Sequence, residues 1–391
     1  MKKLMKMCLP IGMTALMAAC APTQKELLYA DFGKVQDDVY LSMVPLAGGD
    51  NVYLDTISLQ DGKFLLDREI AEPTEVTLEL GRDRKAYGRR KPAASEAYRV
   101  NFLLQPGEKV RIKAAYGQDC LDYELSGSRE LKAQSDLRTK MRAEYVELGL
   151  LYDKIVEAMK DGVENADEAY IDSLYEAYGA ANIRKAEASL HFIKENADRM
   201  LSAFLLLKHP DRDTFLNFLP VLDSALVHGA LAEKIEQVRR QAEYMRTVRQ
   251  NEANLSAGAQ APDFTLYDLN GKAVRLSDFS NRYVVLDFWG TWCPWCVKGI
   301  PQMKEYYAKH KKKVAFISIA CRDKAEKVKA MVEKEGIKWV NVMNGEGEDD
   351  MALTFGVSGY PTKILLAPGM KVQNRYLGEV PEFYQDLDNI K

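Results

Sequence analysis

The feature that most constrains the fold is a pair of cysteines, Cys293 and Cys296, that directly follows a buried-strand pattern. "VVLDFW" ends, "GTW" turns the chain, and Cys293 opens a helical pattern whose first residue is Pro294. Proline suits this position because the N–H that it lacks would have no partner there. Unpaired N–H groups and the helix dipole therefore stabilise a thiolate at Cys293 by up to about 2 kcal/mol. Cys296, one turn further in, is expected to be buried.

Other chemistries that use closely spaced cysteines lack what they need here. A structural zinc site requires a second cysteine or histidine pair, and His310 has no companion at such a spacing. Haem attachment requires a histidine where Val297 stands. A cysteine–histidine hydrolase needs a histidine next to its cysteine, and no motif in the sequence identifies such a histidine. A permanent staple across so short a loop removes little chain entropy. The favoured interpretation is a reversible redox pair, with no metal and no organic cofactor.

The N-terminus has the layout of a secretory signal, with three lysines followed by an apolar run over 7–21. That run is shorter than the roughly 20 residues of a membrane-spanning helix. The ending "MAAC" resembles the lipobox of bacterial lipoproteins, which implies that Cys20 is lipidated and holds the protein on a membrane surface. The alternative is a secreted protein cleaved near Ala19. Both place the chain where disulfides persist.

At 391 residues the chain exceeds what one core usually organises. Strand patterns in the first part of the chain are followed by helical periodicity and then by alternating strands and helices. The alternation in the last part predicts an α/β sheet covered on both faces. We predict a signal peptide at 1–19, a tether at 20–37, a β-rich sandwich-like domain at 38–128, a helical region at 129–250, a linker at 251–262 and an α/β domain at 263–391.

Local signals refine this division. Asp61-Gly62 and Pro106-Gly107 each separate two β-rich runs and predict hairpins. Six cations within 82–91 predict a solvated loop, with a docking patch for an acidic partner as the alternative. The net charge of −3 leaves no electrostatic footprint for nucleic acid.

Three separated elements of the C-terminal third resemble the thioredoxin fold: "WCPWC" after a strand, Pro301 in the following helix, and "VSGYPT" downstream. A hairpin about Asn270-Gly271 and the entry "GAQAPDF" are similar to the membrane-tethered TlpA/ResA branch of that family. The resemblance covers about Ala259 to Lys391. The β-rich front and the helical middle resemble, more loosely, regions that precede such domains in bacterial envelope lipoproteins.

The resemblance implies a role for each motif residue. Cys293 attacks a client disulfide, Cys296 resolves the adduct, and buried Asp287 accepts the proton of Cys296. A structural hydrogen bond is the alternative for Asp287. The peptide bond between Tyr360 and Pro361 is expected to be cis. The residues expected to contact the client are Trp292, Pro294, Trp295, Tyr360 and Pro361. For Trp292, plain packing is the alternative.

The sequence also departs from the pattern of the family. The TlpA/ResA branch usually has asparagine at the position of Asp287 and a glutamate before the helix proline, where Gly299 and Ile300 stand. Thioredoxins pair their acid with a lysine on the next strand, and "VAFISIA" contains none. The dipeptide Pro294-Trp295 is typical of neither group. These departures leave the reduction potential open.

The function implied is a lipid-anchored thiol-disulfide oxidoreductase of the cell envelope, facing the periplasm or lying at the surface, that reduces disulfides of client proteins. A membrane thiol donor would re-reduce it. The alternatives are an oxidase or isomerase, and a surface binding lipoprotein whose redox domain is secondary. Of the remaining cysteines, Cys321 is expected to be a buried thiol; a disulfide with Cys120 and a regulatory thiol are its alternatives.

Overall fold

The computed structural model describes residues 26–35, 38–47, 52–80, 96–116, 120–160 and 167–390. The predicted signal at 1–19, Cys20 and the basic stretch at 82–91 lie outside the described residues. The chain forms two compact units. Of the described residues, the first unit comprises those up to Asp211 together with Phe218–Ile235, and the second comprises Arg212–Asn217 and those from Glu236 onward.

The N-terminal unit begins with two four-stranded sheets, in the orders β4-β1-β7-β8 and β3-β2-β5-β6. Inward positions of both sheets share one apolar core, and β2 alternates buried and more exposed residues as a half-buried strand should. The strands are β1 (Glu26–Asp31), β2 (Val39–Pro45), β3 (Tyr53–Ile57), β4 (Lys63–Asp67), β5 (Thr74–Leu80), β6 (Arg99–Leu104), β7 (Val110–Tyr116) and β8 (Leu121–Ser126).

The prediction of a tether over 20–37 was wrong in part, because β1 lies inside that range. β1 is an inner strand, antiparallel to β4 and parallel to β7. Leu28 and Ala30 are fully buried in the shared core. β1 is too short to show a clear periodicity in the sequence. Its place in the sheet depends on pairing with β7, about eighty residues later in the chain.

The two predicted hairpins of this unit were also wrong. Asp61-Gly62 does turn the chain, but β3 pairs with β2 and β4 pairs with β1, in the other sheet. The turn at Pro106-Gly107 likewise separates β6 from β7, which belong to different sheets. Turn residues specify a reversal of the chain, whereas the partner of each strand is decided by the packing of the sandwich.

Helices follow the sandwich. Ser128 caps the first of them by accepting the N–H of Leu131, and the Gln134 side chain bonds both backbone groups of Leu103 on β6, which fixes this helix against its sheet. The helices are α1 (Arg129–Lys140), α2 (Arg142–Ala158), α3 (Glu168–Glu195), α4 (Met200–Leu207), α5 (Arg212–Phe218), α6 (Ser224–Val227) and α7 (Ala232–Asn254).

The described residues of this region form seven helices. The predicted boundary at 250 was wrong as well, because α7 continues to Asn254 and its residues from Glu236 onward belong to the C-terminal unit. There Asn251 donates to the carbonyl of Leu353, and Tyr244 bonds Asp350. In the described part of the chain, no helix combines the length and the apolar character needed to cross a bilayer.

The C-terminal unit is built on a five-stranded sheet in the order β13-β12-β11-β14-β15, preceded by the short hairpin β9-β10. Strands β11, β12 and β13 are parallel, and β14 and β15 are antiparallel additions. Its elements are β9 (Thr265–Tyr267), β10 (Ala273–Arg275), β11 (Tyr283–Trp289), α8 (Pro294–His310), β12 (Val314–Ala320), α9 (Ala325–Glu335), β13 (Val340–Met343), α10 (Met351–Thr354), β14 (Thr362–Ala367), β15 (Lys371–Leu377) and α11 (Pro381–Asp388).

Both faces of this sheet are covered, as predicted. Val284, Leu286 and Phe288 of β11 join a core with the β9-β10 hairpin and α10. Val285 and Trp289, on the opposite face, join a core with α8 and α11 that also contains both motif cysteines. This arrangement confirms the thioredoxin-like α/β domain, and it places the cysteine motif at the carboxyl end of the central strand.

The burial of β1 yields a first prediction. Leu28→Ala should lower the free energy of unfolding of the N-terminal unit by about 2–5 kcal/mol, because it leaves a cavity in the shared core. Native-state hydrogen exchange of the β1 and β7 amides measures this loss. The exposed neighbour Lys34→Ala is the control and should change nothing. Equal exchange in the two variants would mean that residues 26–31 are a tether after all.

Candidate functional site: a cysteine pair at a helix start

The start of α8 holds the cysteine pair as the sequence predicts. Cys293 is the N-cap residue, and its sulfur accepts the N–H of Cys296 at 3.2 Å. Pro294 occupies the first helical position. Cys293 and Cys296 form a disulfide, with their Cα atoms 5.3 Å apart. The Cys293 sulfur thus lies where unpaired N–H groups and the helix dipole favour negative charge.

Burial alone does not distinguish the two sulfurs, since Cys293 is 4% and Cys296 5% exposed. Their surroundings do. Cys296 lines a small cavity of about 10 Å³ together with Asp287, Lys363 and Glu379, and Cys293 is not among its lining residues. Cys296 therefore borders a space shared with ionisable groups, whereas Cys293 lies at the helix start.

Trp292 lies over the motif in a defined position. Its indole N–H donates to the carbonyl of Cys321 at 3.0 Å, and its ring meets that of Tyr360 edge to face at 5.3 Å between centroids. A Cβ on Gly290 would lie 2.4 Å from the indole nitrogen, so glycine is required for this ring position. Trp292 is nevertheless 48% exposed, which leaves one side of its ring open to a partner.

The other predicted contact residues lie between the two cysteines and in the downstream loop. Pro294 and Trp295 are exposed, and Trp295 is 62% exposed on the first turn of α8. The peptide bond between Tyr360 and Pro361 is cis, as predicted, with Pro361 buried and Tyr360 partly buried. Leu377 was not predicted. Its side chain approaches Gly359, just before this loop, and is 57% exposed.

Asp287 is buried on β11, on the sheet face that α8 covers. Its Oδ2 accepts a hydrogen bond from the Ser318 hydroxyl at 2.7 Å, and Ser318 accepts one from the indole N–H of Trp339 at 2.8 Å. The strand register produces this contact, because Asp287 is the direct partner of Ser318 on β12. The carboxylate is thereby held in one orientation beneath Cys296.

A lysine does face this acid, although β12 supplies none. Lys363 is the direct partner of Asp287 on the other neighbour, β14, and its Nζ lies 3.8 Å from Asp287 Oδ1 and 2.5 Å from Glu379 Oε1. Glu379 also accepts from the Tyr384 hydroxyl at 3.0 Å. Neither Lys363 nor Glu379 was predicted from the sequence as part of the site. A lysine inside the apolar run "TKILLA" was the available signal.

The two remaining cysteines of the described residues, Cys120 and Cys321, are free and buried. This agrees with the expected buried thiol at Cys321 and not with a disulfide between the two. Burial raises the pKa of Cys321 to about 12, with a hydrogen bond to Tyr360 partly opposing the shift. Burial likewise raises the pKa of Tyr360. Cys321 is therefore a neutral thiol at physiological pH.

The Redoxin family profile matches residues 256–390. The thiol-disulfide oxidoreductase ResA of Bacillus thuringiensis is 36% identical over 129 residues, which are 33% of this chain and 73% of that protein. The chain belongs to the ResA family. ResA of Geobacillus thermodenitrificans is 31% identical over 140 residues, which are 35% of this chain and 79% of that protein.

Among solved structures, the thioredoxin domain of a thiol-disulfide oxidoreductase from Bacteroides vulgatus is 28% identical. The superposition covers 34% of this chain and 97% of that domain, with a TM-score of 0.33. The ResA relatives and the Redoxin match, by contrast, assign the C-terminal domain of this ResA-family chain: it is a thiol-disulfide oxidoreductase of the thioredoxin fold.

The raised pKa of Cys321 yields a prediction about thiol reactivity. In the reduced ResA-family domain at neutral pH, iodoacetamide should modify Cys293 rapidly and leave Cys321 untouched, because only a thiolate attacks and Cys321 stays protonated. Peptide mapping by mass spectrometry reads the sites. Denatured protein is the control, in which both should react alike. Equal rates at the two cysteines in folded protein would contradict the site described here.

Proposed function

We propose that this protein is a membrane-anchored, extracytoplasmic oxidoreductase that reduces disulfides of envelope proteins through Cys293 and Cys296. The observation that carries the proposal is the difference between the two sulfurs of one disulfide. Cys293 caps the start of α8, whereas Cys296 shares a cavity with the carboxylate of Asp287. Such an arrangement suits one sulfur for attack and the other for a proton-coupled second step.

In the first step, the Cys293 thiolate of the reduced enzyme attacks one sulfur of a client disulfide. A bond forms between Cys293 and that sulfur, and the second client sulfur leaves as a thiolate that takes a proton from water. The helix start stabilises the thiolate before attack. The Cys296 N–H, which bonds the Cys293 sulfur in the disulfide, is placed to do the same for the thiolate.

In the second step, Cys296 gives its proton to Asp287 and attacks Cys293. The bond between Cys293 and the client breaks, the client leaves as its second thiolate, and the Cys293–Cys296 disulfide forms. The client gains two electrons and the enzyme loses two. The structure has the cysteines in this oxidised form. The sulfurs carry all the electrons, so the proposed cycle uses no metal and no organic cofactor.

The client would dock on the apolar surface around the disulfide. Trp292, Trp295 and Leu377 are large, exposed apolar side chains near the motif and its neighbouring loop. An extended client segment can place its apolar residues on them while its backbone pairs with the loop at Tyr360 and Pro361. Pro294 lies exposed between the cysteines, where it would meet the client next to the exchanging bond.

Anchoring follows from the N-terminal pattern. The predicted signal peptide and Cys20 support a lipidated protein on a membrane, with its redox domain on the periplasmic or outer side. A dithiol donor in the membrane would return two electrons and two protons to the pair. An oxidase or isomerase would run the same exchange toward client oxidation, and a reduction potential near about −120 mV rather than about −270 mV would favour it.

Trapping of the mixed disulfide tests the proposal. Cys296→Ala should accumulate client proteins on Cys293 as adducts that dithiothreitol releases, because the resolving sulfur is missing. Non-reducing electrophoresis of cell envelopes, followed by mass spectrometry, identifies them. Cys293→Ala is the matched control and should trap none. If Cys296→Ala forms no adduct while Cys293 still reacts with small reagents, the protein does not act on envelope disulfides in this way.

A cavity in the N-terminal unit favours a second candidate, a surface binding lipoprotein whose redox domain is secondary. The cavity measures about 530 Å³, within the range of small-molecule sites. Arg138, largely buried, lies at its wall over the ring of Tyr145, and Ile183 and Leu205 supply apolar lining. Such a site suits a ligand with an apolar body and an anionic group.

Two variants distinguish the candidates in a strain that lacks the native protein. The oxidoreductase proposal predicts that Cys293→Ser with Cys296→Ser fails to restore the activity of the strain, whereas Ile183→Trp, which would fill part of the cavity, restores it. The binding candidate predicts the reverse. Immunoblotting of envelope fractions checks that both variants reach equal levels. Restoration by the double serine variant would overturn the primary proposal.

A further inference from the structure

The cluster beneath Cys296 has one cation and two carboxylates. Lys363 is 1% exposed, and its Nζ faces Glu379 at 2.5 Å and Asp287 at 3.8 Å. A buried ammonium group is costly unless it is paired, and here two acids pair with it. With all three groups charged, one negative charge is in excess. The cluster can therefore accept one proton and become neutral, which is what the release of a proton by Cys296 requires.

The cluster is continuous with the inner cysteine. Asp287, Lys363, Glu379 and Cys296 line one cavity of about 10 Å³, close to the volume that a single water molecule occupies on this scale. The inner cysteine and the three ionisable groups therefore border the same small space. Cys293 does not line the cavity, so this space adjoins the cysteine that acts in the second step of the exchange and not the one that acts in the first.

The cluster has an inner and an outer end. The side chains of Asp287 and Lys363 are 12% and 2% exposed, whereas that of Glu379 is 18% exposed. Ser318 fixes one oxygen of Asp287, and the Tyr384 hydroxyl donates to Glu379 Oε2. Burial raises the pKa of Tyr384, so this hydroxyl remains a donor. Glu379 is thus the member of the cluster with the most access to solvent.

Gly299 gives an independent sign that the position of Glu379 matters. A Cβ on Gly299 would lie 2.3 Å from Glu379 Oε1 and 2.4 Å from its carboxyl carbon. Glycine inside a helix is less stable than alanine, and α8 carries one where this carboxylate approaches. A side chain at position 299 would therefore displace the Glu379 carboxylate.

We propose that Lys363 and Glu379 relay the proton of Cys296 between Asp287 and solvent. Glu379 acts through Lys363 and Asp287 and not on the sulfur itself, and Gly299 leaves the space that its carboxylate occupies. The inference rests on the proposed exchange at Cys293 and Cys296 and adds to it the path of the proton.

The relay conserves charge at each transfer. Cys296 gives its proton to Asp287 and becomes the attacking thiolate. The Lys363 ammonium passes a proton to Glu379 and takes the one that Asp287 holds, and Glu379 releases its proton to water. Lys363 is an ammonium before and after, and no electrons move in the relay. When a donor re-reduces the disulfide, the proton returns to Cys296 by the same groups in the opposite order.

The titratable groups that face the relay come from each element packed on it. Cys296 faces it from α8 and Tyr384 from α11, and Tyr306 of α8 acts on Tyr384. From β12, Ser318 contributes a hydroxyl, and Cys321 beyond the strand interacts with Asp287 electrostatically. Both tyrosines and Cys321 are protonated at neutral pH, and burial raises the pKa of each further from that range.

The test uses the full chain, reduced, with 5,5′-dithiobis(2-nitrobenzoate) as the disulfide substrate. Release of the first thionitrobenzoate reports attack by Cys293, and release of the second reports resolution by Cys296. Glu379→Gln should slow the second phase at neutral pH by about tenfold or more and leave the first unchanged. The difference should vanish in alkali, where hydroxide removes the proton directly. Subtracting the trace of the Cys293→Ser, Cys296→Ser variant removes contributions from other thiols.

Gly299→Ala is the second variant. It keeps every titratable group but should displace the Glu379 carboxylate, so it should slow the same phase with the same pH dependence. Glu382→Gln, which removes an exposed glutamate three residues from Glu379, is the matched control and should have no effect. A second phase in Glu379→Gln equal to that of the wild type across the pH range would overturn the relay. Absence of both phases in the wild type would instead refute the exchange itself.

Discussion

The register of β11 between its two neighbours is the constraint on which the redox site depends. It sets Asp287 beside Ser318 on β12 and beside Lys363 on β14. Because side chains alternate between the faces of a sheet, all three point to the face that α8 covers, where Cys296 lies. A slip of β11 by one residue would turn Asp287 toward the opposite core and separate it from Ser318, Lys363 and Cys296.

This arrangement places charge where a hydrophobic core would otherwise be continuous. Burying a single lysine or carboxylate costs several kcal/mol, and the cluster reduces that cost by pairing one cation with two acids and with the hydroxyls of Ser318 and Tyr384. Replacement of buried ion pairs by apolar residues of similar volume is often neutral or stabilising. The cluster is therefore better explained by the chemistry of the adjacent sulfur than by the stability of the domain.

The sequence alone was a good guide wherever the signal was local. Proline after a cysteine located the start of α8, and Tyr360-Pro361 was correctly expected to be cis. It was a poor guide wherever the partner was distant in the chain. Asp61-Gly62 and Pro106-Gly107 turn the chain as expected, but the strands on either side belong to different sheets. Turn chemistry acts over four residues and carries no information about sheet assignment.

By itself, the amino-acid sequence determined that this chain carries a cysteine pair at a helix start, on an α/β domain of the ResA family. The motif lies within a few consecutive residues, where dipoles and turn preferences act directly. Only the tertiary structure decided which ions surround the inner cysteine. Lys363 and Glu379 come from β14 and from the loop before α11, far along the chain from Cys296. The folding of the sheet brings these residues next to Cys296, and no local sequence pattern predicts that contact.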